Sequence, residues 1–134
     1  MGWTGATKGT IHEISSAEYL KGLVSDPKLK FYVSEDNGEI TGFASTKVQD
    51  GSTMELAGII VRDDLLGKGI GSLLISKCID SARDAGFASM VVKTEASNER
   101  AISFYMKRGF VRIGNVVEIV GNSKVELVML RLVL

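Results

Sequence analysis

Residues 65–72, which read LLGKGIGS, are rich in glycine, a composition that can serve ligand binding. Glycine carries no side chain, so alternating glycines let the backbone approach a ligand closely. A helical pattern begins at Gly69, and the amides at the start of a helix carry partial positive charge. Together these features predict a site for phosphate or pyrophosphate. Considered alone, the glycines could equally serve only a tight turn from strand to helix.

Two common nucleotide-binding motifs do not fit this segment. The Walker loop requires a glycine–lysine pair followed by Ser or Thr, and the segment contains none. The dinucleotide fingerprint G-x-G-x-x-G meets Ser72 at its last glycine when it starts at Gly67. When it starts at Gly69, it meets Leu74 instead. The segment does match the pattern x-x-G-x-G, with Gly69 and Gly71 as its glycines.

A second pattern, at residues 98–110, reads N-x-x-A-x-x-F-Y-x-x-x-G-F and lies one helix and one strand after the glycine segment. The first pattern is similar to the pyrophosphate loop of the GNAT N-acetyltransferases, and the second closely resembles the last conserved helix of that family. Two motifs in the right order and at the right separation are more specific than either alone. The resemblance is strong over residues 55–110. On either side of these residues it rests on the order of the strands alone.

The elements that position these motifs follow from hydrophobic periodicity and turn residues. The sequence predicts strands at residues 10–14, 30–35, 39–48, 53–61, 88–94, 111–120 and 124–132, and helices at 16–25, 69–85 and 98–108. On the second helix, Ile70, Leu73, Leu74, Cys78 and Ala82 form the predicted apolar stripe. The order β-α-β-β-β-α-β-α-β-β indicates an α/β (α+β) fold with a mixed, mostly antiparallel, GNAT-like sheet of about seven strands. We expect one domain over residues 1–134, with residues 1–9 as a flexible arm.

The resemblance implies acetyl-CoA as the cosubstrate, bound where the strands at 53–61 and 88–94 separate. Its pantetheine arm would pair with the backbone of Ile59, Ile60 and Val61, and would contact Asn98 and Phe104. The pyrophosphate would lie on the backbone amides of Leu66, Gly67, Lys68, Gly69, Ile70, Gly71 and Ser72. The family usually begins this loop with Arg or Gln, whereas this chain has Leu66. A side-chain contact is therefore lost, and the pyrophosphate depends on backbone amides.

Direct attack on a thioester needs a neutral amine, and an exposed amine with a pKa of about 10.4 is neutral in only about one molecule in a few thousand at pH 7. A base or a desolvating pocket can recover part of that deficit. The resemblance implies Tyr105 as the general acid for the departing thiolate; the alternative is a tyrosine packed in the core. Glu55 is the candidate base, with Glu95 or a water relay as alternatives. Ribosomal-protein alanine acetyltransferases have their catalytic glutamate where this chain has Lys93.

Composition narrows the remaining possibilities. Lys plus Arg and Asp plus Glu number 16 each, so no basic excess indicates nucleic acid, although Lys107-Arg108 could form a local anion contact. With Cys78 and His12 as the single cysteine and histidine, we expect no disulfide, no metal site and no His-dependent triad, and we expect Cys78 to be a core residue. The sequence contains no run of about 18 apolar residues, which a membrane-spanning helix would need. Residues 1–6 lack a signal-peptide pattern. We therefore expect a cytoplasmic protein.

The predicted function is transfer of an acetyl group from acetyl-CoA to a primary amine, by direct attack in a ternary complex. The amine could belong to a small molecule, a protein N-terminus or a lysine. The alternative is a non-catalytic acyl-CoA sensor of the same fold. A homodimer is a further hypothesis, because the last strand is apolar (Val125, Leu127, Val128, Met129, Leu130 and Leu132). A simply buried strand would also explain that composition.

Overall fold

The computed structural model describes residues 10–14 and 28–134. The described elements are strands β1 (Thr10–Ile14), β2 (Leu29–Asp36), β3 (Glu39–Val48), β4 (Thr53–Val61), β5 (Ser89–Glu95), β6 (Val111–Val120) and β7 (Ser123–Val133), and helices α1 (Ile70–Asp84) and α2 (Glu99–Met106). A single turn of 3-10 helix, Asp63–Leu65, precedes the glycine segment. The predicted arm at 1–9 and the predicted helix at 16–25 lie outside the described residues. Within the described ones, neither helix is long and apolar enough to cross a membrane.

The seven strands form one sheet in the order β1-β2-β3-β4-β5-β7-β6. Only β4 and β5 run parallel, and every other neighbouring pair is antiparallel. The predicted fold class, a mixed and mostly antiparallel sheet with helices, is confirmed. The first hairpin turns at Asn37 and Gly38, whose φ angles of 52° and 80° favour Asn-Gly in a two-residue turn.

The last strand lies inside the sheet. β7 pairs with β5 on one side and with β6 on the other, so both of its edges are occupied. Of the two explanations for its apolar sequence, the buried strand is therefore the correct one. β6 forms the edge of the sheet instead, and most of its side chains are exposed.

Helix α1 packs on the sheet through Ile70, Leu74, Ile75, Cys78 and Ala82. The predicted stripe was wrong at one position: Leu73 is 39% exposed, and Ile75 is buried in its place. Close packing depends on Gly42 in β3, where a Cβ atom would lie 2.9 Å from Leu74 Cδ1 and 3.0 Å from Ile70 Cγ2. At those separations a side chain at residue 42 would force Leu74 and Ile70 to shift, so glycine lets α1 pack closely on β3.

Strands β4 and β5 pair only over their first residues, from Thr53 opposite Ser89 to Leu56 opposite Val92. Beyond that point β4 pairs with β3 and β5 pairs with β7, and the two strands separate. The register between β3 and β4 also shifts here, because the partner pairs skip Ala57. Such a bulge bends a strand and increases its twist. A gap therefore opens in the middle of the sheet at the predicted position.

Candidate active site

A cleft of about 800 Å³ opens where β4 and β5 separate, between the end of β4, the turn into α1, and α2. It brings together most of the residues that the sequence predicted for the site. These are Ile59, Val61, Leu66, Gly67, Gly69, Ile70, Gly71, Ser72, Asn98, Phe104 and Tyr105. Leu65, Thr94, Arg100, Ala101, Ser103, Lys107 and Arg108 also line it. The two sequence motifs, separated by a helix and a strand, thus form opposite walls of one cavity.

Three predicted residues do not line the cleft: Ile60, Lys68 and Glu55. The neighbours of Glu55, Met54 and Leu56, belong to the core beneath the helices. Because side chains alternate along a strand, Glu55 points to the opposite face of the sheet. The Ala57 bulge then shifts the alternation, so that Ile59 packs towards the core while Ile60 is 67% exposed. Lys68 is exposed in the loop between two glycines.

The backbone of β4 offers hydrogen-bonding groups to the gap. Arg62 N donates to Thr41 O at 3.0 Å, which ties the backbone of that residue to β3. In an antiparallel ladder the residues that bond to one neighbouring strand alternate with those facing the other way. The amide and carbonyl groups of Ile59 and Val61 therefore face the gap, whereas those of Ile60 face β3.

The glycine segment turns the chain sharply into α1. Gly67 and Gly69 have φ angles of 79° and 85°, a conformation that side chains disfavour. Gly69 caps the helix without a side-chain hydrogen bond, and the intrahelical series begins with Leu73 N donating to Gly69 O at 3.1 Å. The amides of residues 70–72 precede that bond, so they have no acceptor within the helix. They form one end of the cleft.

Gly71 allows α2 to come close to this end of α1. A Cβ atom at Gly71 would lie 3.5 Å from Phe104 Cζ and 3.7 Å from Val61 Cγ2. These are ordinary van der Waals separations, so a small side chain would fit but a larger one would enter the cleft. The absence of a side chain at Gly71 keeps the passage between α1 and Phe104 open.

Asn98 is the N-cap residue of α2, and its side chain can bond both to the helix and to a ligand in the cleft. Its Oδ1 accepts a hydrogen bond from Ala101 N at 3.1 Å, which caps the helix. A cap of this kind stabilises a helix by about 1 kcal/mol. The bond commits Oδ1 to the helix and leaves the Nδ2 amide, which is only a donor, for a ligand in the cleft.

Tyr105 lies in the wall of the cleft with only 6% of its surface exposed. Its ring packs edge-on against Phe104 and Phe110, at centroid distances of 5.4 and 5.6 Å. Burial raises the pKa of Tyr105 to about 12, with a smaller contribution from the Cys78 thiol. Among the described residues the hydroxyl has no hydrogen-bond partner, yet no fully buried side-chain oxygen there is unpartnered. The hydroxyl therefore retains access to the cleft.

Cys78 lies in α1 beside Tyr105 and is 1% exposed, which confirms it as a core residue. Burial raises the pKa of its thiol to about 12. A thiol with that pKa is not a thiolate near neutral pH, so Cys78 is unsuited to nucleophilic attack. No group of three or more His, Cys, Asp or Glu side chains that could hold a metal ion occurs over the described residues.

Arg108 reaches across the cleft from the end of α2 to the first turn of α1. Its Nη1 donates to Phe104 O at 2.8 Å, and its Nη2 donates to Ser72 Oγ. The guanidinium carbon lies 3.7 Å from the centroid of the Phe104 ring, a cation–π contact. The sequence singled out Lys107-Arg108 as a local cationic pair, but the link to Ser72 joins residues 36 positions apart and could not be found from local pattern.

The charge of the cleft differs from that of the whole chain. Three cationic side chains line it, Arg100, Lys107 and Arg108, while no Asp or Glu of the described residues does so. The chain as a whole has a formal charge of zero. Cations with no counter-charge beside the positive end of α1 create a field that favours an anionic ligand.

Comparison with protein families and known proteins identifies relatives of this chain. Residues 3–110 match the model of the acetyltransferase (GNAT) family. The chain is 40% identical over 84 residues to the L-amino acid N-acyltransferase MnaT of Escherichia coli, covering 59% of this chain and 48% of that protein. It is 33% identical over 112 residues to the L-methionine sulfoximine/L-methionine sulfone acetyltransferase of Salmonella typhimurium, covering 81% and 63%. The matches thus span about half to two thirds of these relatives' length.

Solved structures share the fold. A GNAT family acetyltransferase from Elizabethkingia anophelis with acetyl-CoA bound superposes with a TM-score of 0.76 at 19% identity, covering 93% of this chain and 97% of that one. The ribosomal-protein-S18-alanine N-acetyltransferase from Escherichia coli gives a TM-score of 0.78 at 19% identity, covering 92% of each chain. With the family match over residues 3–110, the chain belongs to the GNAT family of acetyltransferases, enzymes that use acetyl-CoA as their cosubstrate.

Proposed function

We propose that this chain transfers an acetyl group from acetyl-CoA to a primary amine, by direct attack in a ternary complex. One observation carries the proposal. A single cleft joins the unpaired amides at the start of α1, the unpaired backbone edge of β4 and the Tyr105 hydroxyl. When bound, acetyl-CoA supplies an acetyl group activated as a thioester.

Successive parts of the cleft suit successive parts of the acetyl-CoA molecule. The amides of residues 70–72 and the nearby cations suit a pyrophosphate, because both present positive charge to an anion. The backbone of Ile59 and Val61 can pair with an amide-containing pantetheine arm much as a strand would. Asn98 adds a donor, and Phe104 adds an apolar surface beside the arm. Lys68 and Ile60 would contribute to acetyl-CoA binding only by helping to set the path of the backbone around the cleft.

Tyr105 would act on the departing sulfur through its hydroxyl. Its pKa of about 12 lies some 3.5 units above an ordinary thiol, so full proton transfer to the thiolate costs about 5 kcal/mol. The hydroxyl therefore stabilises the thiolate as a hydrogen-bond donor, and can relay the proton that the attacking amine releases. In both roles it must stay neutral, which its raised pKa ensures.

The acceptor amine would approach from the face of the sheet that the described helices leave free. Glu55 points to that face from the last paired residues of β4, and we propose it as the base. Glu95 ends β5 on the same face, as alternation from Met90 and Val92 requires. Lys93 forms an ion pair with Glu118 at 3.2 Å, so a lysine and its partner hold the place of the glutamate used by ribosomal-protein alanine acetyltransferases.

Only the relatives support a choice among classes of amine. Two of them act on amino acids by name, and a third is the N-alpha-acetyltransferase 30 of Schizosaccharomyces pombe, 32% identical over 85 residues. We therefore propose that screening start with free L-amino acids, followed by peptide N-termini and lysine side chains.

A homodimer through β6 is a further proposal. This edge strand exposes Val111, Ile113, Val117, Ile119 and Val120, whose exposed fractions range from 52% to 74%. A long apolar edge strand with unpaired backbone groups favours pairing with another strand. A two-fold axis lets the same edge of a second copy serve as partner.

The glycine segment can be tested with Gly71→Glu, compared with the neutral Gly71→Gln. Glutamate near a helix start stabilises the helix, so loss of binding would not reflect unfolding. At an effective dielectric of 20, a charge about 4 Å from a phosphate costs about 4 kcal/mol, a loss of roughly a thousandfold in affinity. We expect calorimetry to show acetyl-CoA binding by the native protein, weaker binding by Gly71→Gln and none by Gly71→Glu. Absence of binding by the folded native protein would contradict the proposal.

Tyr105→Phe tests the proposed hydrogen bond from the tyrosine hydroxyl to the departing thiolate. Loss of the hydroxyl should lower kcat about a hundredfold while acetyl-CoA affinity stays unchanged, because the ring still fills the wall. Tyr105 stays protonated up to about pH 10, since its pKa is about 12, so any ionisation seen in the native profile between about pH 6 and 10 should persist in the variant. Tyr32→Phe, in the core away from the cleft, is the matched control. An unchanged kcat in Tyr105→Phe would remove Tyr105 from the chemistry.

Glu55→Gln tests the base, with Glu95→Gln beside it. If Glu55 deprotonates the amine, kcat/KM for the amine should fall about a hundredfold near pH 7. The deficit should shrink as pH approaches the amine's own pKa, because the amine then loses its proton to water. A deficit in Glu95→Gln alone would transfer the role to Glu95. Normal activity in both variants would leave a water relay. Tight acetyl-CoA binding with no acetylation of any amine would favour the non-catalytic sensor.

Light scattering tests the homodimer. We expect twice the chain mass at micromolar concentration for the native protein, and a monomer for Val117→Lys, which places charge on the exposed edge. Ile40→Lys changes an exposed apolar residue outside β6 and should leave the mass unchanged. A native monomer would contradict the proposal.

A further inference from the structure

The position of Arg108 is unusual for a residue that only links two helices. Its guanidinium contacts Ser72 in the first turn of α1, where the helix carries partial positive charge. That turn contains no acidic residue, and no carboxylate of the described chain lines the cleft. A cation at the positive end of a helix is repelled unless an anion lies between them. The carbonyl end of α2, where Arg108 donates to Phe104 O, offsets part of this repulsion, and an anion between Arg108 and the start of α1 would offset the rest.

The guanidinium also keeps unused donors. Arginine has five N–H groups, and Arg108 uses one on Nη1 for Phe104 O and one on Nη2 for Ser72 Oγ. Nε and the second hydrogen on each Nη have no acceptor in the part of the chain that the structure describes. The two existing bonds and the Phe104 ring hold the planar group in place. A fixed guanidinium with free donors matches the geometry of a phosphate.

Leu66 lies in the same cleft and cannot serve this purpose. It is 45% exposed, and its apolar side chain offers no donor to a phosphate. It is also the position at which the chain departs from the Arg or Gln that similar loops begin with. The cation absent from the start of the loop is thus present at the end of α2.

We propose that Arg108 binds the pyrophosphate of the acyl-CoA donor and supplies the side-chain contact that Leu66 cannot make. This inference rests on the proposed function. It also specifies the acyl donor. Tight binding would need the pyrophosphate, because an acyl group carried on pantetheine alone could not contact Arg108.

Three acyl donors show which phosphate Arg108 contacts. They are acetyl-CoA, acetyl-dephospho-CoA, which lacks only the 3′-phosphate, and S-acetylpantetheine, which lacks every phosphate. Arg108→Gln keeps some hydrogen-bonding capacity and removes the charge. Losing a charge-assisted hydrogen bond should weaken binding of the first two donors about tenfold or more, and leave S-acetylpantetheine unchanged. Arg83→Gln, on the exposed side of α1 beside Asp80, is the matched control and should bind all three donors like the native protein.

Each other result overturns a defined part of the proposal. Equal weakening for all three donors would make Arg108 a structural link that shapes the cleft. A penalty for acetyl-CoA that vanishes with acetyl-dephospho-CoA would assign Arg108 to the 3′-phosphate. No penalty with any donor would remove it from the site. If the native protein binds none of the donors, the proposed function itself fails, which is distinguishable from these outcomes.

A second substitution tests directly whether Arg108 makes up for the missing side-chain contact at Leu66. Leu66→Arg in the Arg108→Gln background should restore most of the affinity for acetyl-CoA, because it returns a guanidinium to the same cleft. A lost structural link between α1 and α2 would not be restored by a side chain at residue 66. If Arg108→Gln does not fold, Arg108→Lys keeps the charge without the planar fork. It should show a smaller loss that still depends on the donor's pyrophosphate.

Discussion

The separation of β4 from β5 after Leu56 and Val92 is the constraint on which the rest of the site depends. Backbone groups in the middle of a sheet are normally paired, and an unpaired group shielded from water is costly. The gap must therefore stay open to water or hold a molecule that pairs with it. The cleft satisfies the first condition because it is open to solvent, and it presents the unpaired edge of β4 to a molecule that could satisfy the second. A ligand with amide groups replaces water there without breaking any bond within the sheet.

Two local features maintain this separation. The bulge at Ala57 changes the course of β4 at the residue where pairing with β5 ends. On the other side, Gly71 lets Phe104 pack close to the start of α1, so α2 is held near α1 while the strands diverge. The strands thus open the cleft in the sheet, and the helices narrow it above the sheet. Its width is fixed by packing between buried elements.

Much of this arrangement could be predicted from the sequence. The bounds of β1, β3, β4 and β6 follow from alternation and turns, and the glycine segment and α2 are where their motifs indicate. What the sequence does not reveal depends on tertiary contacts. Gly58 directly follows the bulge at Ala57, and a glycine inside a strand is typical of a bulge. Simple alternation continued from Met54 and Leu56 nevertheless gives the wrong directions for Ile59 and Ile60. The insertion of β7 between β5 and β6 likewise leaves the later strand inside and the earlier one exposed, which local periodicity does not encode.

Under the proposed function, helix α2 would connect the Tyr105 hydroxyl with the anion site beside Arg108. It has eight residues, about 12 Å at 1.5 Å per residue, and its start is fixed by the Asn98 cap. Tyr105 and Arg108 lie three positions apart, near one turn of the chain, with Phe104 between the guanidinium and the tyrosine ring. A shift of this helix would move the Tyr105 hydroxyl and the Arg108 guanidinium together. Because Arg108 also bonds to α1, an anion held between the helices would restrain Tyr105. The proposed recognition of the phosphate and the proposed alignment of the Tyr105 hydroxyl would then be coupled.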